Sequence, residues 1–561
     1  MSIENTIKNM SLDERAGQLV MSSFTGRTSI PEETVELIKA GAAGSILYFS
    51  GCNVVDALQL RGLTEKVQKA SLESKAGLPQ FIAIDQEGGQ LAPITKGVCI
   101  GPGNMALAAI RENGADYAYK VGNITGKELK AIGIDVCFAP VVDLCFEEGL
   151  PVKDNRYFGS DPVKAGVLAA AFTKGLQDAG VMACAKHFPG QRNVDIDSHF
   201  ELDTVPYTYE QLMNCQWIPF KASIDAGVSM MMTLHASFPE LDKTGTPATL
   251  SPTILNEYLR GKLGFNGLIV TDDIQMKPIK DKYGIDGALI KAVDAGVNQI
   301  IVSGGVWDAN KIIADAVRRG ELSEDKLNLA CARVLEFKEK YVSKTVPTEE
   351  TAKSLLVTEE NKKAIQDAAD ASITVIKNQG GLLPLTKEKI LETTKGTKIK
   401  PRVALLRPTY ARLMMSDNTN FYLHTFKEVF EEVYGTEIDF CEYTFGLDPS
   451  DVEILAASDW AFMADYTILC TYNSYQHPQQ QKLLDACYAF TGKDKMVAAI
   501  LRSPHDLTVI PENVESVMLS YGVAKCSVKA LANVIAGNAK PQGALPVGIG
   551  NLPRGTGKAD F

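Results

Sequence analysis

The chain has 561 residues, too many for one ordinary hydrophobic core, so two large domains or three of average size are expected. With 45% hydrophobic and 22% charged residues, its composition is that of a globular protein, neither disordered nor membranous. A formal net charge of -11, from 57 basic and 68 acidic residues, favours solubility and argues against a general polyanion-binding surface, so nucleic acid is not an expected partner.

The N-terminus lacks a basic region followed by an apolar one, so no signal peptide is expected, and no later apolar run is long enough for a membrane span. Eleven cysteines are scattered without a CxxC pair. Cys137, Cys184, Cys331 and Cys470 lie inside apolar runs where cysteine packs as a small hydrophobe, which predicts a reducing, cytoplasmic location.

Short apolar runs bounded by turns then alternate with longer amphipathic segments. The predicted strands are Gly17 to Phe24, Gly44 to Phe49, Pro79 to Asp85, Ile134 to Val142, Val181 to Phe188, Val228 to His235, Gly267 to Asp273 and Gln299 to Ser303. Helical patterns fall between them, among them Glu33 to Lys39, Val54 to Ser74, Asp116 to Ala131, Val163 to Asp178, Tyr209 to Ala226, Pro252 to Leu263 and Gly287 to Ala295. Eight strands alternating with helices over some three hundred residues predict an α/β fold of the (β/α)8 TIM-barrel type, with its chemistry at the C-terminal ends of the strands. Asp85, Asp143, Lys186 with His187, His235, and Asp272 with Asp273 each follow directly on one of these runs.

Ser323 to Tyr341 reads as a closing helix, which bounds a barrel domain at 1–341. The polar, proline-containing stretch 342–350 reads as a linker. Residues 351–561 resume the alternation with strands near Ile373, Val403, Glu437, Thr467, Met496 and Val517, and predict a C-terminal α/β sandwich domain.

The densest chemistry lies between Ala183 and Asp203. An apolar strand stops at Phe188-Pro189-Gly190, leaving Lys186 and His187 at its end. The following loop carries Asp197 and His199 at i, i+2, where a carboxylate can hold one ring nitrogen while the other transfers a proton. Neither the histidines nor the cysteines have metal-ligand spacing, no phosphate-binding or dinucleotide-binding glycine pattern is present, and no cofactor or metal is expected.

These motifs resemble glycoside hydrolase family 3, of the β-N-acetylglucosaminidase type with a C-terminal family 3 domain. The resemblance rests on IDQEGGQL at 84–91, FAPVVDL at 138–144, NRYFGSDP at 155–162, KHFPG and DSH at 186–199, MMTLH at 231–235, LGFNGLIVTDDIQM at 263–276, ASITVIKNQGGLLPL at 371–385 and KPQGALPVGI at 540–549. It implies a retaining exo-glycosidase that releases terminal β-linked N-acetylglucosamine through a covalent intermediate on Asp272. It further implies His199, oriented by Asp197, as acid/base, and Asp85, Arg156, Lys186 and His187 as the residues that hold the terminal sugar. Asp273, the immediate neighbour of Asp272, takes a structural role. The implied partner is a small oligosaccharide or glycoconjugate ending in N-acetylglucosamine, as in cell-wall recycling, and the chemistry needs no cofactor. Gln90, Gln191 and Arg192 depart from the usual family residues, and the resemblance puts them at the rim that meets an aglycone. Phosphorolysis on the same residues, or a non-catalytic carbohydrate-binding protein on the same fold, stays open as an alternative. The oligomeric state is also open.

Overall fold

The computed structural model describes residues 2–145, 155–191, 203–305, 307–414, 417–492 and 494–561. Among these, eight short strands form a parallel sheet: β1 Val20–Ser22, β2 Ser45–Leu47, β3 Phe81–Ile84, β4 Val136–Cys137, β5 Met182–Phe188, β6 Met230–Thr233, β7 Leu268–Thr271 and β8 Ile300–Val302. Each pairs with the next in chain order from β1 to β7, and β8 returns to pair with β1, Val20 opposite Ile300. The ring closes between β7 and β8, where Asn298 and Thr271 amides donate to Ile269 and Gln299 carbonyls at 2.9 and 3.0 Å. All eight strands fall inside the predicted runs.

Period-two alternation explains why each strand is apolar on both sides. Met21, Leu47, Phe81, Val136, Met182, Met230, Met232, Leu268 and Val270 fill the barrel interior together. Their neighbours Val20, Ile46, Ile82, Cys137, Ala183, Met231 and Ile269 point outward into the layer shared with the helices. The end of the barrel opposite the strand C-termini is closed by helix Glu324–Tyr341, whose buried Lys338 ammonium donates to Gln18 Oε1 at 2.8 Å and the Gly44 carbonyl at 2.7 Å. Burial pushes this ammonium down to about 7.

A second sheet has six strands: β9 Thr374–Asn378, β10 Arg402–Pro408, β11 Asp439–Phe445, β12 Tyr466–Thr471, β13 Met496–Ile500 and β14 Ser516–Leu519. Their spatial order is β9-β14-β13-β12-β10-β11, with β9 antiparallel at one edge and the rest parallel. Alternation again assigns the faces. Val403 and Leu405 pack on one side with helices Phe426–Tyr434 and Lys525–Ala536, while Ala404 and Leu406 pack on the other with helices Asp451–Phe462 and Pro478–Thr491. The result is the sandwich with helices on both faces that the sequence predicts.

The stretch read as a linker touches the barrel at Pro347, and the helix beyond it bridges the two cores. Arg61 Nε donates to the Pro347 carbonyl at 2.7 Å, and helix Glu359–Ser372 places Ile365 and Ala368 in the barrel's outer core and Ala369 in the core of the second sheet. Two further seams join the units. Residues 543–558 return to the barrel, with the Ala544 amide on the Ala109 carbonyl at 2.8 Å and the Ser160 amide on the Pro546 carbonyl at 3.2 Å. The loop before helix Phe426–Tyr434 reaches the barrel mouth: the Asn418 amide donates to the Gln90 carbonyl at 2.8 Å, its side chain to Ser50 Oγ at 3.0 Å, and the Tyr422 hydroxyl to the Gly89 carbonyl.

Candidate active site

The mouth at the C-terminal ends of β3, β4, β5 and β7 gathers the charged residues. β5 runs straight into the KHFPG turn. Beneath that turn Phe188 stacks on Trp217 at 5.7 Å, and the indole Nε1–H donates to the Pro189 carbonyl at 2.9 Å. The register between β5 and β6 shifts between Ala185 and Phe188, an irregularity of the kind that re-aims side chains at a barrel rim. Lys186 and His187 lie within it, and both side chains take acidic partners at the mouth.

Lys186 is only 2% exposed, yet its ammonium contacts Asp85 Oδ1 at 2.7 Å and Glu87 Oε1 at 2.6 Å. Glu87 is as deeply buried and also takes a bidentate pair of hydrogen bonds from Arg156, both 2.8 Å. Burial alone would raise the Glu87 carboxyl, but the charges of Arg156 and Lys186 outweigh it and hold the group down at about 2. For Lys186, burial works to lower the ammonium, while Asp85 and Glu87 prevail and hold it above its usual range. Glu87 is thus the hub that ties Asp85, Lys186 and Arg156 into one rigid group. Asp85, at 27% side-chain exposure, is its most open member.

The β3 loop fixes that hub by backbone geometry. Glu87 and Gly88 amides donate to the Leu91 carbonyl at 3.0 and 3.1 Å, and the Gly89 amide to the Gly101 carbonyl at 2.9 Å. Gly89 has φ +57°, and a Cβ there would come within 3.0 Å of the Gly103 backbone, so the second glycine of the motif allows a close approach of two chains.

A second carboxylate–imidazole pair stands beside the first group. Asp143, at the end of β4 and wholly buried, accepts the His187 Nδ1–H at 2.8 Å, the His187 amide at 3.0 Å and the Gln191 amide at 2.8 Å. With Nδ1 committed to Asp143, Nε2 is the ring atom that can meet a ligand.

Asp272 follows β7 directly and accepts the Asp273 amide at 2.8 Å. Asp273 turns to a different task, accepting the Gln275 and Ser303 amides at 3.0 and 3.3 Å and joining the ends of β7 and β8. His235 lies under this turn. It is fully buried, donates Nε2–H to the Asp273 carbonyl at 3.0 Å, and is held below the usual imidazole range by burial. Although it sits on the same barrel face, it is a structural histidine.

Of the residues expected from the sequence, Asp85, Arg156 and Lys186 come together, His187 joins them from the same strand end, and Asp272 sits two strands away at the same mouth. Asp197 and His199 lie outside the described residues, as does Arg192. Gln90 is not at an open rim: it is buried, with its carbonyl capped by Asn418 from the second sheet's domain. The sequence motifs do not single out Glu87, and they mark Asp143 only as a polar residue after a strand. The pattern of two acids in D-Q-E-G-G-Q was the available signal for Glu87. Among the described residues no group of histidines, cysteines and acids is arranged to hold a metal ion, and no helix is long and apolar enough to cross a membrane.

Comparison with known proteins agrees with this geometry. The family described as Glycosyl hydrolase family 3 N terminal domain matches residues 11–337. Beta-hexosaminidase A of Pseudoalteromonas piscicida is 29% identical over 93% of this chain and 92% of its own length. Beta-hexosaminidase of Tolumonas auensis is 35% identical over 48% of this chain and 78% of its own. The solved glycoside hydrolase family 3 beta-N-acetylglucosaminidase of Paenibacillus sp. str. FPU-7 superposes with a TM-score of 0.82 at 30% identity, covering 96% of this chain and 99% of that one. With a barrel whose mouth carries this acid, base and cation set, and with the family match spanning that whole barrel, the chain belongs to glycoside hydrolase family 3 and is a glycoside hydrolase.

Proposed function

We propose that the protein is a retaining exo-glycosidase that releases terminal β-linked N-acetylglucosamine from a small oligosaccharide or glycoconjugate. The observation that carries this reading is the pre-assembled Asp85–Glu87–Lys186–Arg156 group beside His187, at the same mouth as Asp272. Rigid, buried donors and acceptors of both kinds suit the hydroxyls of one terminal sugar ring, and fixed orientation of that ring brings its anomeric carbon to a nucleophile. The hexosaminidase names of the relatives support the choice of sugar.

In this proposal the Asp272 carboxylate attacks the anomeric carbon while the His199 imidazolium gives its proton to the glycosidic oxygen. The carbon–oxygen bond breaks and the aglycone leaves as an alcohol. Water then attacks the same carbon, His199 takes its proton, and the bond to Asp272 breaks, so configuration is retained. Asp197 holds the His199 tautomer and stabilises its charged form. Water is the proposed acceptor: when it attacks, Asp272 is the neutral glycosyl ester, and Lys186 and Arg156 are already committed to Asp85 and Glu87 rather than open to a phosphate. Cys137, Cys184, Cys331 and Cys470 are buried in the cores as small hydrophobes, and a reducing, cytoplasmic setting is the location proposed.

The test is Asp272→Ala, expected to lower turnover of an aryl N-acetylglucosaminide by at least about 1,000-fold with the fold intact. A mechanism-based fluorosugar is expected to label Asp272, and label on another residue rejects the assignment. Product analysis with and without phosphate is expected to give free N-acetylglucosamine in both, whereas a sugar phosphate means phosphorolysis.

A further inference from the structure

Arg156 is aimed at Glu87 by a backbone that the barrel does not hold alone. The Arg156 carbonyl accepts from Asn104 Nδ2 at 2.7 Å, and the Asn155 carbonyl accepts the Met105 amide at 3.4 Å, so the start of helix Asn104–Ala109 supports this peptide from one side. Behind the mouth, the second domain supports it from the other. Asn155 is only 6% exposed, and its side-chain amide donates to the Tyr521 carbonyl, two residues beyond β14. Past Arg156, Tyr157 is buried in a core that mixes Met105 and Val141 of the barrel with Leu519 and Tyr521 of the second domain. Both neighbours of Arg156 are therefore tied to the second domain, one by a hydrogen bond and one through a shared core. Tyr521 in turn is held still. Its φ of +56° is a left-handed conformation that a bulky L-residue keeps only where its surroundings impose it. Here the ring is buried in the shared core, and the hydroxyl donates to Thr374 Oγ1 at 2.8 Å, which fastens it to the start of β9.

We propose that Asn155 is a positioning residue for the reaction. Through the Tyr521 carbonyl it passes the placement of the second domain to the Arg156 guanidinium, and so sets how that group meets the terminal sugar, a role that rests on the proposed reading of Arg156 as a residue that holds this sugar. Asn155, Asn104, Glu87 and Arg156 line one small cavity, so a shift of the Asn155 side chain has the Glu87–Arg156 pair as its immediate neighbour. A guanidinium meets its acceptors through a planar fork of fixed geometry, and a small displacement of its backbone misaligns both bonds at once. Only a donor serves at position 155, because a carbonyl is what it meets, and that requirement separates Asn155 from a residue that merely fills space.

Steady-state kinetics of the full chain on an aryl N-acetylglucosaminide test this in Asn155→Leu, which stays close in shape and loses the donor, and in Asn155→Ala. Each is expected to raise KM by about 10-fold with kcat within about two-fold of wild type. Arg156→Lys, which keeps a cation beside Glu87 but loses the fork, is expected to raise KM by at least as much. Asn155→Leu added to Arg156→Lys is expected to change KM by less than about two-fold more, because both act through one guanidinium. A wild-type KM in both Asn155 variants, with only the melting temperature lowered, overturns the proposal, as do KM increases that multiply in the double variant. A wild-type KM in Arg156→Lys is a different failure: it rejects Arg156 as a residue that holds the sugar and, with it, the role assigned to Asn155.

Discussion

Glu87 shows how much of a site can hang on one buried carboxylate. Two cations meet on it: Arg156 makes its bidentate pair there, and Lys186 divides its contacts between Glu87 and Asp85. Breaking a buried, hydrogen-bonded pair from one side costs about 3–5 kcal/mol, so Glu87→Gln is expected to lower unfolding stability by about 3 kcal/mol and to raise KM for the sugar, measured by denaturant titration and steady-state kinetics. The sign of the pH effect follows from the lowered pKa. Its stabilisation is complete above the ordinary glutamate value of 4.5 and is lost as pH falls toward about 2, so the gap between wild type and Glu87→Gln is expected to close across that window. A different outcome separates the two imidazoles. His199→Ala is expected to slow poor leaving groups far more than activated aryl glycosides, because an acidic phenol departs without a proton. His187→Ala is expected to slow both alike, since its ring is tied to Asp143 and, in the function proposed above, holds the sugar. Equal slowing by His199→Ala would move the acid/base role to another group, with the Asp143–His187 pair the first to test.

At the scale of elements, the β3 loop carries more of the site than β3 itself. Gly89→Ala forces an L-residue to φ +57° and drives a Cβ against the Gly103 backbone, and is expected to cost about 1–3 kcal/mol and to raise KM with a smaller change in kcat, read from thermal melts and kinetics. This loop also marks where sequence reasoning runs out. The eight barrel strands were legible because each is a short apolar run closed by glycine, proline or a charge, and the strand-end residues Asp85, Lys186 and Asp272 were legible with them. Glu87 was not, because its partners are 69 and 99 residues away along the chain and only closure of the ring brings β3, the 155–161 segment and β5 together. His235 looked like a member of the site because sequence gives the face but not the depth, and depth turns it into a structural donor. Helix Asp451–Phe462 has no clean helical stripe to read, since large residues lie on both sides of it: Ile454 and Trp460 pack on the core while Val452, Leu455 and Phe462 are exposed.

On the scale of the whole molecule, the second domain reaches into the catalytic mouth through one loop. Asp417 and Arg502, both buried and 2.5 Å apart, anchor it, and Arg502 also donates to the Tyr472 hydroxyl at 2.6 Å. From that anchor Asn418 and Tyr422 hold the carbonyls of Gln90 and Gly89, directly beyond Glu87. Tyr422→Phe removes one buried hydrogen bond and leaves the Gly89 carbonyl with less support, at a cost of about 1–2 kcal/mol. We expect KM to rise several-fold with kcat little changed, and a wild-type KM in this variant would show that the domain merely abuts the barrel. The linker expected from its proline and polar residues touches the barrel through the Pro347 carbonyl, which accepts from Arg61 Nε at 2.7 Å.

The returning segment 543–558 has a consequence for how the protein is made. The barrel groups it satisfies, such as the Ala109 carbonyl and the Ser160 amide, leave the ribosome long before their partners do; Pro546 follows Ser160 by 386 residues. The closing helix ends at Tyr341, so at translation rates of about 5–20 residues per second roughly 10–40 seconds pass between completion of the barrel and synthesis of Pro546, with the flank still wet. Water must solvate those backbone groups until the segment arrives. A nascent chain paused within that interval therefore presents a folded barrel with one unsealed side, the surface on which a chaperone, or a neighbouring nascent chain on the same messenger, would first take hold.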